Sequence, residues 1–167
     1  MTPLAPAALA RAYLDSDLSI EDLADDFWRW PGQTIRGEAP IDGEICKIVE
    51  SQPAPVDETV YSLVRSWVSP KKALPLRIEK FDREAHLVKR FVFRNLIRVD
   101  QIWTPRTMIV QRPGGNQETT LEISHGDRDV DIPPAEFSLE AIKEFPRRAA
   151  QEAEEATLNR HGSPAHR

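Results

Sequence analysis

The sequence predicts an α+β protein: an antiparallel β-sheet of at least five strands, from about residue 44 to 125, with small helices packed on it. Three observations predict it. Short β-branched and aromatic runs are separated by turn signals. Seven glycines stand against fourteen prolines in 167 residues, a balance that suits strands punctuated by stiff turns. Two short segments, one on either side of the strand region, carry helix-capping patterns.

The elements follow in chain order. Ser19 with Asp22 three residues on is an acidic capping box, and Leu18 and Leu23 hold the staple positions. Leu23 and Phe27 then share one face, which predicts a helix to about Trp28, stopped by Pro31-Gly32. Asp42-Gly43 is a hairpin signal, with a candidate strand over 45–49. Residues 60–68 form a strand, with Tyr61, Leu63 and Trp67 on one side. Leu74–Phe81 alternates Leu74, Leu76 and Ile78 against Arg77 and Glu79. A turn over 82–86 leads into Leu87–Val99. Asp100-Gln101 turns the chain into 103–111, and 112–116 turns it again into 118–124. Short connections throughout make an antiparallel meander the natural topology. Phe137 and Ile142 bracket Ser138, which predicts a second helix over 139–144. Residues 146–167 read as a helical or frayed tail, mobile beyond about 160. The domain expected is a single one over 1–145.

Apolar residues occupy both faces of 60–68 and of Leu87–Val99. Three readings fit: a sandwich-like core, an apolar ligand groove, or an oligomer interface. Arg90, Arg94 and Arg98 share a strand face, with Lys80 and Arg77 nearby, inside a stretch (71–98) of 9 basic and 3 acidic residues. Phe91 and Phe93 fall on the opposite parity, so stacking and phosphate contact would not share a surface, and no nucleic-acid partner is expected. The net charge of −5 points the same way. Residues 1–58 carry 4 basic and 12 acidic side chains, and that acidic segment suits a place opposite the basic one. The cluster of Asp15, Asp17, Glu21, Asp22, Asp25 and Asp26 lacks the glycine and terminal glutamate of a calcium loop, and reads as solvated surface.

Catalytic patterns are not found. His86 lies in a turn, His125 at a strand end, and His161 and His166 in the tail. The single cysteine, Cys46, makes neither an internal disulfide nor a multi-cysteine metal site. No metal, cofactor or catalytic residue is expected, and no run approaches the ~18 apolar residues of an integral membrane segment.

The register of DLSIEDL, GEICKIVESQP, VYSLVRSWVSPKKALPLRIEKF, RVDQIWTPRTMIVQ, ETTLEIS and VDIPPAEFSLEAI resembles the C-terminal portion of outer-membrane lipoprotein-sorting proteins, the LolA-like group of periplasmic carriers. The resemblance covers about residues 14–145. It implies a curved sheet, an incomplete barrel of the LolA/LolB type with helices packed on it. It implies a non-catalytic role in lipid binding and transport, the partner being the acyl chain of a lipoprotein or lipid. Candidate wall residues are Tyr61, Leu63, Trp67, Phe91, Phe93, Trp103, Met108 and Ile109. The alternative is a protein-interaction module or homodimer that uses the exposed sheet edge. The resemblance implies a periplasmic location; the absence of a signal peptide implies a cytoplasmic one if the chain is complete as written.

Overall fold

A computed structural model of the protein describes residues 10–13, 16–24, 26–115, 117–124 and 130–138. Residues 1–125 and 126–167 form two separate units. The first holds a seven-stranded antiparallel sheet, curved and unclosed, in the order β1-β2-β3-β4-β5-β6-β7. Its strands are β1 (Gly32–Ile41), β2 (Glu44–Gln52), β3 (Leu63–Ser69), β4 (Leu74–Phe81), β5 (Leu87–Val99), β6 (Ile102–Gln111) and β7 (Glu118–Glu122). Every strand pairs with its neighbours in sequence, the meander that short connections predict.

β4 and β5 have the bounds read from sequence. β1 is a strand the sequence reading missed. Its run GQTIRGEAPI has only Ile35 and Ile41 as large apolar residues, and Pro40 cannot donate to a ladder. Such a strand is tolerated at a sheet edge, where β1 sits. β3 starts at Leu63 rather than at residue 60. Tyr61 instead donates its backbone N–H to Thr59 Oγ1 at 3.1 Å. β7 ends at Glu122, two residues early.

Helix α1 (Ile20–Ala24) is shorter than expected and gives way to a 3-10 turn at Asp26–Arg29. The capping box forms: Ser19 N–H donates to Asp22 Oδ2 at 2.8 Å, and Asp22 N–H to Ser19 Oγ at 3.3 Å. The staple does not, because Leu18 is buried while Leu23 faces solvent. With two turns of different pitch, Leu23 no longer shares a face with Phe27.

The core is divided between the two sheet faces. On the face that α1 covers, Leu18, Phe27, Val64, Ile78, Phe91 and Val110 are buried together, with Trp30, Phe93, Met108 and Leu121 packed against them. Ile41, Cys46, Trp67, Leu74 and Leu76 form a second cluster, with Ala39, Ile48, Leu96 and Trp103. That cluster lies at the end of the sheet where the β1–β2, β3–β4 and β5–β6 hairpins turn. A β-bulge makes the switch. Trp67 opposes Arg77 and Val68 opposes Pro75, so Leu76 is an extra residue in β4. Alternation would put Leu74 and Leu76 with Ile78, but the bulge brings them to Trp67 instead.

In the second unit the described segment, 130–138, contains a 3-10 turn at Pro134–Phe137. The helix expected over 139–144 and the tail over 146–167 lie outside the described residues.

Candidate functional site

The strand register sorts the candidate side chains. Val64 faces Lys80, Ile78 faces Phe91, Phe91 faces Val110, Phe93 faces Met108 and Met108 faces Leu121. All of these lie on the α1 face. Leu63, Trp67 and Ile109 take the opposite parity, and Trp103 packs in the second cluster with Trp67. Tyr61 precedes β3 and turns toward α1. The eight residues read from sequence therefore do not share one wall: Phe91, Phe93 and Met108 come together, Trp67 and Trp103 come together elsewhere, and Leu63 and Ile109 stand on the face away from α1.

What fixes α1 on its face is charge. Asp22, expected at the surface, is buried with its side chain fully enclosed. Lys80 Nζ lies 3.0 Å from Asp22 Oδ1, and Lys89 Nζ binds Oδ2. Tyr61 donates its hydroxyl to Oδ1 at 2.8 Å, and Ser19 donates its hydroxyl to Oδ2 at 2.7 Å. Burial by itself would raise the Asp22 pKa. The Lys80 charge and the bonds from Lys89 and Ser19 outweigh it and hold the carboxyl far below the usual range. Burial pulls the Lys89 ammonium down and, with the Asp22 charge, pushes the Tyr61 phenol up. Phe27, Tyr61 and Phe91 surround Lys80 Nζ at 5.5, 5.0 and 4.9 Å from their ring centres. Lys80 is thus on the face opposite Arg77 and Arg90, not with them.

The acidic N-terminal segment does meet basic residues, but among the described residues these are Arg65, Lys72, Lys80, Lys89 and Arg112 rather than Arg90, Arg94 and Arg98. Arg112 Nε lies 3.1 Å from Asp17 Oδ1, and the Asp17 N–H donates to Thr119 Oγ1 at 2.9 Å. Sequence reasoning missed this network, though a signal existed. Lys80 and Lys89 fall on the apolar parity of β4 and β5, where a lysine needs a buried acid.

Beside the network is a pocket of 180 Å³ walled by Phe27, Trp30, Tyr61, Val64 and Lys80. Past the part of the sheet that α1 covers, the same face continues as an apolar strip. Phe93, Met108 and Leu121 are half-buried, while Ile97, Ile102 and Ile123 are exposed by 39%, 46% and 47%. Ile97 and Val99 keep the parity of Phe93, and Val99 opposes Ile102. Among the described residues, no three His, Cys, Asp or Glu side chains gather to hold a metal, and no helix is long and apolar enough to cross a membrane.

A curved, unclosed antiparallel sheet with a short helix on one face is a LolA-like fold. An outer membrane lipoprotein-sorting protein domain from Vibrio parahaemolyticus superposes with a TM-score of 0.71 at 19% identity, over 83% of this chain and 59% of that one. A LolA superfamily protein from Nitrosomonas europaea gives 0.60 at 17% identity, over 82% and 60%. A DUF1329 family protein from Desulfovibrio piger gives 0.72 at 31% identity, over 81% and 57%. The chain thus spans less than two thirds of the length of each. No curated protein matches. A family described as "Uncharacterized protein" matches residues 1–144, and the chain belongs to that family.

Proposed function

We propose that this protein is a non-catalytic binder of acyl chains that works in lipoprotein sorting toward the outer membrane. The compartment that goes with this role is the periplasm. One observation carries the reading: the apolar strip of Phe93, Ile97, Ile102, Met108, Leu121 and Ile123 runs along the α1 face beyond the helix. Isoleucines standing one after another in the open on a sheet face are a surface built to be covered. The fold shared with a lipoprotein-sorting domain supports an acyl chain as the cover. Each methylene removed from water contributes about 0.8 kcal/mol, and losing free motion costs at least about 4 kcal/mol. An acyl chain laid on an open strip therefore binds at about micromolar strength or weaker.

The test is a fluorescent fatty-acyl probe titrated into the protein. Phe93→Asp and Met108→Asp should each abolish saturable binding, while Ile45→Asp, on an exposed position of β2, should leave it unchanged. Circular dichroism confirms that each variant retains its sheet. Saturable binding that survives both strip substitutions, or no binding by the unaltered protein, refutes the reading.

A further inference from the structure

The face away from α1 carries a cavity of 330 Å³ whose lining includes Arg77, Arg90, Arg94, Val92 and Ile109. Three guanidiniums border it, and they are not equivalent. Arg90 Nε is held by Glu79 at 2.8 Å. Arg77 stacks on Trp67, with its Cζ 5.4 Å from the ring centre. Its Nε is buried and has no hydrogen-bond partner among the described residues. Arg94 is exposed and makes no ion pair with a described residue, whereas Arg36, Arg65, Arg90 and Arg112 all do. The register explains the grouping. Arg77 opposes Val92, and Arg90 and Arg94 flank Val92 on β5, so Arg77 is diagonal to both. The row continues to Ile109, which makes an apolar strip between the charges. Two carboxylates also border the cavity. Glu118 is engaged by Gln111 at 2.9 Å, and Asp42 is at the β1–β2 turn.

We propose that this cavity binds a phosphate ester, with Arg77 and Arg94 as the two forks on its oxygens and Val92 and Ile109 beneath its organic part. Guanidinium forks match phosphate geometry, and two arginines converging from adjacent strands suit a group with several equivalent oxygens. The apolar row rules against a bare inorganic ion as the best ligand and favours an ester with an alkyl or glycerol substituent. The site is on the face opposite the acyl strip and does not rest on the acyl-binding reading.

The chemistry is common to a soluble phosphate ester and to a phospholipid headgroup, and two arms of one experiment separate them. In the first, butyl phosphate is titrated at fixed ionic strength with sodium chloride as the reference. Saturable binding is expected, weakened about tenfold in Arg94→Gln and in Arg77→Gln, the loss of one charge-assisted fork. Arg94 is exposed, so R94Q tests the site even if R77Q disturbs the packing of Trp67. Arg98→Gln, outside the cavity, should bind like the unaltered protein. In the second arm, phosphatidylglycerol and phosphatidylcholine vesicles are floated with the protein. Flotation with phosphatidylglycerol that R94Q abolishes identifies a headgroup. Butyl phosphate binding without flotation identifies a soluble ester. Equal affinity of R94Q and the unaltered protein, or no butyl phosphate binding beyond that of chloride, overturns the site.

Discussion

Glu79 and Lys80 are consecutive in β4 and both are buried, yet they face opposite sides of the sheet and answer to different partners. Lys80 meets Asp22, 58 residues away on α1. Glu79 meets its cross-strand neighbours, in a row that runs Glu50, Arg65, Glu79, Arg90, Gln111, Glu118 from β2 to β7. Within that row Arg65 Nη2 lies 2.6 Å from Glu50, which also takes Arg36 at 2.7 Å. The arginines there stay partly in water, their side chains 35–57% exposed, against 3% for Lys80. The solvated row follows a register that the backbone ladder already fixes. The enclosed triad fixes something the ladder does not: which helix lies on this face, and at what position.

Removing the central acid should therefore show the largest effect. Asp22→Ala leaves two ammonium groups buried without a counter-charge and should cost about 3–5 kcal/mol in urea denaturation. A loss under about 1 kcal/mol would mean that the lysines reach water easily and that the triad does not hold α1. The next effect is on acid stability. Asp22 has a folded pKa below its unfolded value, so its stabilisation is present above about pH 4 and is lost as pH falls toward the folded value. The unaltered protein should lose thermal stability steeply below pH 4, and Asp22→Asn should show a flatter dependence from a lower starting point. Parallel curves would assign acid unfolding to other carboxylates. The smallest effect belongs to the solvated row. Glu50→Gln should cost about 0.5–1 kcal/mol and less in high salt. A salt-insensitive loss as large as that of Asp22→Ala would erase the distinction between the two rows.

The same contrast explains what was legible in the sequence. β4 and β5 could be bounded because alternation ended where turn residues began. β1 could not, because an edge strand with one unpaired side needs little apolar pattern, and GQTIRGEAPI has little. The capping box was legible because Ser19 and Asp22 are local, but the second task of Asp22 is not. It appears only when Lys80 and Lys89 are recognised as charges on apolar parity. The candidate wall mixed two surfaces for a similar reason. Apolar residues on both faces of a strand reveal that both are covered, not which aromatic belongs to which cover. The bulge at Leu76 has no local signature at all, since nothing in LPLRIEKF marks a residue as supernumerary until β3 is laid beside it.

The division of the core also sorts the fluorophores. Four tryptophans fall into two pairs: Trp28 and Trp30 belong with Phe27 in the α1 segment, while Trp67 and Trp103 lie in the cluster under the hairpin turns. Trp28 is 41% exposed and Trp67 only 8%, so the first pair emits from a wetter setting than the second. Replacing Trp67 and Trp103 by phenylalanine leaves a protein whose light comes from the α1 end alone. Replacing Trp28 and Trp30 leaves one that reports on the hairpin end. One chain thus carries two optical gauges, each confined to a different core, and their melting curves read whether the two cores come apart together or in turn.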